Sequence, residues 1–275
     1  MAKNNRASEP LWNITSITIC VLSEEKGMKI KMKNIGVIPA RYNSTRFQGK
    51  PLAEIDGKPM VWHVYQQALK VENLTEVYVA TDDQRIIDVC NDYEMKVLKT
   101  ADTHSTMSAR IHEVSTMIDA DSYIVINGDE PLIDPNVINK VIPTTKEGFY
   151  AQNLMTPITQ AADVIDATNI KVVFNENRDA VYMSRAPIPF PKGRLDFKYF
   201  KHLGVVAYSK EALEFYINTP KTYYESVEDI DYLRLIENKK SFKMIEVVAD
   251  TISVDSPKDL EMVRALFLLN KKSMH

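Results

Sequence analysis

EVYVATDDQRIIDVCNDYEMKVLKT (residues 76–100) changes its apolar period twice. EVYVATD is β-branched and apolar enough for a buried strand, DQRIIDVCNDY spaces its apolar residues as one face of a helix, and MKVLKT returns to a strand. Strand, helix and strand in so short a stretch predict a parallel pair, because parallel neighbours need a crossover and a helix is the usual one. The same alternation extends both ways. NIGVIPA (34–40) reads as a strand, PMVWHVYQQALKV (59–71) as a helix, ARIHEVSTMI (109–118) as a helix and SYIVING (122–128) as a strand. The expectation is an α/β fold: a mostly parallel, Rossmann-like sheet with helices on both faces. Ligands of such sheets bind beyond the carboxyl ends of the strands, and the loops after GVIPA, VYVATD and YIVING are the charged ones.

From about 146 to 205 the pattern becomes a series of strand-like runs, FYAQNLM, IKVVFN, AVYMSR and HLGVVAYS, broken by the proline-rich APIPFPKGR. These predict a smaller mixed or antiparallel lobe inserted into the sheet. Helices follow at SKEALEFYIN, EDIDYLRLIENK and SPKDLEMVRALFLLNKK, the last with Ser256 as N-cap and Pro257 at its first position. Residues 1–31 read as an N-terminal extension or arm, since MKNIGVIPAR would itself begin a domain at Met32; within the arm, SITICVL is a candidate extra strand.

Composition narrows the function. The 275 residues are 45% hydrophobic and carry a net charge of −3, which suits a globular chain and argues against a dedicated nucleic-acid binder. Cys20 and Cys90 form no CxxC, so neither a disulfide framework nor a cysteine zinc site is expected. No apolar stretch approaches the ~20 residues that cross a bilayer. A soluble, cytoplasmic protein is the expectation. Eight glycines and no GxGxxG speak against a nicotinamide site, and QGKP lacks the upstream glycine and the following Ser or Thr of a phosphate-binding P-loop.

The charged loops remain to be explained. GVIPARYNSTRFQGKPL (36–52) places Arg41, Arg46 and Lys50 where they could clamp a triphosphate, with Ser44, Thr45 and main-chain N–H groups assisting; solvated surface charge is the alternative. INGDEPLIDP sets Asp129 just beyond a buried strand, a position that suits either a hard cation such as Mg²⁺ or a turn. SVDSPKDLE offers Asp255 between the strand-like DTISV and the last helix, as a second metal ligand or a helix cap. His202, beside Lys201, is a candidate anion contact.

Together these segments identify a resemblance. IPARYNSTRFQGKPL, VATDDQRI, HSTMSARIHEV, NGDEPLIDP, YMSRAPIP, KHLGVVAY, ESVEDIDYLRLIEN and SVDSPKDLE, in this order, resemble the 3-deoxy-D-manno-octulosonate (Kdo) cytidylyltransferase family, from about Ile35 to Leu266. The resemblance implies a homodimer that transfers CMP from CTP to a sugar acid with release of pyrophosphate. It implies that Arg41, Ser44, Arg46 and Lys50 hold the triphosphate, that Arg110 and Gly128 belong to the nucleotide side, and that Asp129 and Asp255 hold Mg²⁺. Ser184, Arg185, His202 and Glu225 would line the sugar pocket. The chain departs from the family pattern at TMSAR (106–110), where SGTDR is usual, and at Asn127, where glutamine is usual; Ser226 also replaces the amide or similar polar residue that commonly follows Glu225.

Overall fold

In the computed structural model, which describes residues 32–43, 47–194, 196–249 and 251–273, NIGVIP forms β1 (Asn34–Pro39). A short hairpin, β2 (Glu54–Ile55) and β3 (Lys58–Pro59), leads into α1 (Met60–Leu69), β4 (Glu76–Thr81), α2 (Gln84–Asp92), β5 (Val97–Lys99), α3 (Met107–Met117) and β6 (Ser122–Ile126). β1 lies between β4 and β6, parallel to both, and β4 pairs in parallel with β5, as the stretch 76–100 predicts. The hairpin was not anticipated, although its turn Asp56-Gly57 has the positive φ at both residues (49° and 74°) that such tight turns need. The expectations for the N-terminal arm, for SITICVL, and for Ser44, Thr45 and Arg46 concern positions outside the described residues.

The chain continues through α4 (Pro135–Lys140), β7 (Ala151–Pro157), α5 (Ala161–Ile165), β8 (Lys171–Phe174), β9 (Ala180–Ser184) and β10 (Phe200–Tyr208). It ends with α6 (Lys210–Asn218), α7 (Tyr223–Glu228), α8 (Leu233–Glu237), β11 (Phe242–Glu246) and α9 (Pro257–Ser273). The main sheet has the order β11-β7-β10-β6-β1-β4-β5. β10 runs antiparallel to both β6 and β7, so the sheet is parallel in its first half and mixed beyond. Of the strands expected in 146–205, β7 and β10 extend the main sheet, while β8 and β9 form a hairpin held against β10. None of the described helices is long and apolar enough to cross a membrane.

Period-2 alternation explains why the central strands are apolar throughout. Ile38 of β1, Ile124 and Ile126 of β6 and Val205 and Ala207 of β10 face a core shared with α1, α2 and α4. Ile35 and Val37, Tyr123 and Val125, and Val206 and Tyr208 face the opposite core, shared with α3, α6 and α8. A strand buried on both faces has no polar face to show. A third cluster, Ile55, Met60, Val254, Leu260 and Val263, binds α9 to the β2–β3 hairpin.

β10 breaks register against β7 between His202 and Val206. Asn153 fills the irregularity, its buried amide donating to the carbonyls of Leu203 (2.9 Å) and Val205 (2.7 Å). The Gly204 carbonyl is thereby turned to accept from the Asn127 N–H at 2.9 Å. A β-bulge of this kind re-aims the strand beside a cavity. Gly204 must be glycine because a Cβ there would lie 2.4 Å from Asn127 Nδ2 and 2.9 Å from Asn127 Cβ. Gly204→Ala should therefore cost about 1–3 kcal/mol in urea unfolding, with a displaced Asn127 side chain in its structure. An unshifted Asn127 at unchanged stability would contradict this packing.

Candidate active site

The carboxyl ends of β1 and β6 open onto a cavity of about 450 Å³ whose lining includes Arg41, Lys50, Met107, Arg110, Gly128 and Asp129. Arg41 donates to the His104 carbonyl at 2.7 Å, which ties the loop after β1 to the segment preceding α3. Lys50 follows Gly49, whose φ of 70° is readily available only without a side chain and whose N–H closes the loop onto the Tyr42 carbonyl at 2.8 Å. Thr106 caps α3 by accepting from the Ala109 N–H at 3.2 Å, so Met107 begins the helix and projects to the cavity. Arg110 is 1% exposed. Its guanidinium contacts Thr100 and pairs with Asp82 at 3.1 Å, while Nε has no partner among the described residues. Burial draws its pKa down, opposed by Asp82.

Asp129 and Asp255 meet at Lys50. The ammonium lies 2.8 Å from Asp129 Oδ2 and 3.8 Å from Asp255 Oδ1. Over its described residues the expected strand at DTISV does not form: 251–255 are irregular. A main-chain bond ties the segment instead, from the Val254 N–H to the Asp129 carbonyl at 2.8 Å, and Val254 itself is buried in the α9 cluster. Helix capping falls to Ser256 and Asp259: Asp259 Oδ2 accepts from the N–H groups of Asp255 (3.1 Å) and Ser256 (2.8 Å). The Asp255 carboxylate is left facing Lys50 and the site, and the helix-cap alternative passes to its neighbour.

A second cavity, of about 780 Å³, adjoins the first, and Asn127 and Asp129 line both. Arg185 and His202 line it as expected, with Lys201. The Arg185 guanidinium is held by three main-chain carbonyls, of Glu228 (2.8 Å), Ala167 (3.1 Å) and Asp229 (3.2 Å), and it forms no ion pair among the described residues. Lys201 donates to Asn169 at 3.1 Å. Two cations without carboxylate partners among the described residues therefore line the cavity. His202 is not a third: burial holds its pKa down to about 4, so the imidazole is neutral near pH 7, with Nδ1 lacking a partner. It can offer a hydrogen bond and no charge.

Two expected residues lie elsewhere. Glu225 is fully buried and lines neither cavity. It pairs with Arg234 Nε (2.8 Å) and Nη2 (2.6 Å) and closes a capping box with Thr222. Ser184, 2% exposed, donates to Glu228 Oε1 at 2.5 Å behind the cavity wall. Asp231 occupies the cavity instead, its pKa pushed up to about 6 by burial and the neighbouring Glu225 charge. The sequence could not separate them, because ESVEDIDYLRLIEN carries several acids and the left-handed turn at Asp229 (φ 53°) decides which face inward. Glu130 was missed as well. It lies 4% exposed in the same cavity, pushed up to about 7 by burial and then by the charge of Asp129.

A histidine held neutral when folded costs stability as pH falls, because the unfolded chain takes up a proton near 6.5 and the folded one only near 4. Stability relative to the His202→Gln variant should therefore decline from about pH 7 toward about pH 4 in urea unfolding. A difference independent of pH would contradict the neutral imidazole.

Comparison with known proteins identifies the family. The sequence model of the cytidylyltransferase family matches residues 35–243. The Escherichia coli 3-deoxy-manno-octulosonate cytidylyltransferase is 39% identical over 236 residues, covering 85% of this chain and 96% of that protein. The 8-amino-3,8-dideoxy-manno-octulosonate cytidylyltransferase of Shewanella woodyi is 37% identical, covering 83% and 96%. The solved structure of a CMP:2-keto-3-deoxy-manno-octonic acid synthetase complexed with CTP superimposes with a TM-score of 0.82 at 38% identity, covering 86% of this chain and 99% of that one. With Lys50, Asp129 and Arg110 on one cavity and the match spanning the whole sheet, the chain belongs to the cytidylyltransferase family.

Proposed function

We propose that this protein transfers CMP from CTP to 3-deoxy-manno-octulosonate or a close relative, releasing pyrophosphate. The observation that carries the reading is that Asn127 and Asp129 line both cavities, so a nucleotide in the first and a sugar acid in the second meet at one carboxylate. The first cavity supplies Arg41, Lys50 and Arg110 for phosphates and base, and the second supplies Arg185 and Lys201 for an acid. In the reaction the acceptor hydroxyl oxygen bonds to the α-phosphorus, the bond from that phosphorus to pyrophosphate breaks, and the hydroxyl proton is released. No protein nucleophile is needed. Binding and orientation fall to the cations, with Lys50 and Arg41 placed to neutralise charge on the departing pyrophosphate.

A magnesium ion fits the residues present. Asp129 Oδ1 is buried without a hydrogen-bond partner among the described residues, and Asp255 converges on the same ammonium from the segment that enters α9. Two carboxylates suit a hard cation that completes its shell with water and substrate phosphates. When bound, the ion would supply charge neutralisation at the α-phosphoryl oxygen and acidify the attacking hydroxyl.

A homodimer, a cytoplasmic setting and a place in lipopolysaccharide assembly belong to the same reading. The dimer is supported by large side chains exposed on β9 and α7, among them Val181 (54%), Tyr223 (74%) and Val227 (64%).

The reading is tested by pyrophosphate release over a panel of nucleotides and acceptors, including the 8-amino sugar acid; failure with every octulosonate acceptor would refute it. Asp129→Asn and Asp255→Asn should each lower kcat by about 10²–10³-fold with circular dichroism unchanged, and activity near the parent level at saturating Mg²⁺ would remove the metal assignment. Lys50→Ala should raise the KM for CTP by about 10- to 100-fold, the loss expected for a charge-assisted contact.

The TMSAR segment tests base reading. Met107 takes up space in the nucleotide cavity, and Ala109 has no side-chain acceptor. Met107→Gly combined with Ala109→Asp should sharpen the CTP-to-UTP ratio of kcat/KM by roughly 1–3 kcal/mol. An unchanged ratio would move this segment's role away from the base.

A further inference from the structure

Lys171 is a lysine with no exposure at all, in β8 of the hairpin behind the acceptor cavity. A charged ammonium is seldom buried without a carboxylate. Among the described residues Lys171 makes no ion pair; it donates to two main-chain carbonyls, of Asp166 at 2.9 Å and of Arg185 at 2.5 Å. Both residues line the acceptor cavity, so one ammonium ties two of its walls together. Burial draws the lysine pKa down, opposed by Asp166 and Glu228.

The other side of Arg185 is held as firmly. Glu228 Oε2 accepts the Arg185 N–H at 3.0 Å, and Glu228 Oε1 accepts the Ser184 hydroxyl at 2.5 Å. The Ser184 oxygen in turn accepts the Ala186 N–H at 3.0 Å. Residue 185 is thus gripped at its N–H by an anion and at its carbonyl by a cation. Its guanidinium, spread over the carbonyls of Ala167, Glu228 and Asp229, lines the cavity with no ion-pair partner among the described residues. This also accounts for Ser184, which secures the grip from behind.

We infer that Lys171 and Glu228 are positioning residues for Arg185, holding its guanidinium where it reads the carboxylate of the acceptor. The inference rests on the proposed sugar-acid reading of the second cavity. Lys171 and Glu228 touch no substrate; they act through the main chain of Arg185. Their loss should weaken recognition of the acid and leave the nucleotide side, on the far side of Asn127 and Asp129, untouched.

The test is steady-state kinetics of full-length Lys171→Met and Glu228→Gln with CTP and 3-deoxy-manno-octulosonate, alongside thermal unfolding. Each variant should raise the acceptor KM about tenfold or more while the CTP KM stays within about twofold. Should Lys171→Met fail to fold, Glu228→Gln, which keeps an accepting oxygen, carries the test. Added to Arg185→Ala, either change should have little further effect, because residues acting through one another are not additive. Equal rises in both KM values, an unchanged acceptor KM, or a full additional loss on top of Arg185→Ala would each overturn the inference. Wild-type turnover is a separate readout: its absence would refute the sugar-acid reading itself, whereas an active wild type with any of these three patterns refutes only the positioning.

Discussion

Lys50 stands 2.8 Å from Asp129 and 3.8 Å from Asp255, and the site is organised around this charge arrangement. Two carboxylates brought so close repel one another unless a cation separates them. The ammonium provides it here. The three residues arrive from different places: Lys50 from the turn after β1, Asp129 from the end of β6, and Asp255 from the segment that enters α9. The bond from the Val254 N–H to the Asp129 carbonyl fixes the last of these to the second, so the charges converge without a continuous strand to carry Asp255.

The mixed sheet gives the arrangement its two sides. Parallel strands β1 and β6 end together and open the first cavity, as the general rule for such sheets requires. β10 lies beside β6 in the opposite sense, and its bulge, filled by Asn153, turns His202, Leu203 and Gly204 toward the second cavity. The contact of Gly204 with Asn127 couples the two halves sterically. What the antiparallel strands add, then, is a second binding face adjoining the first.

The parallel half could be read from the sequence because its signals are local. Apolar runs with helices between them admit few topologies, and the charged loops fall where those topologies put ligands. Lys50, Asp129, Asp255, Arg110 and Arg185 all reach cavities. What escaped depended on irregular backbone. DTISV has the composition of a strand, yet it forms a tether in place of one. Glu225 and Asp231 lie in one acidic segment; the chain turns through a left-handed residue at Asp229 between them, and Asp231 lines the cavity while Glu225 meets Arg234. The neutral state of His202 follows from burial by surrounding elements, which no property of KHLGVVAY could reveal.

Paramagnetic relaxation in a complex with Mn²⁺, an unreactive CTP analogue and the sugar acid bears most directly on the account. A divalent ion at Asp129 and Asp255 would stand where the two cavities meet, close to both reacting groups. Strong relaxation of both the α-phosphorus and the acceptor carbon bearing the attacking hydroxyl is the predicted result. Relaxation of the phosphorus resonances alone, with the acceptor carbon unaffected, would contradict it.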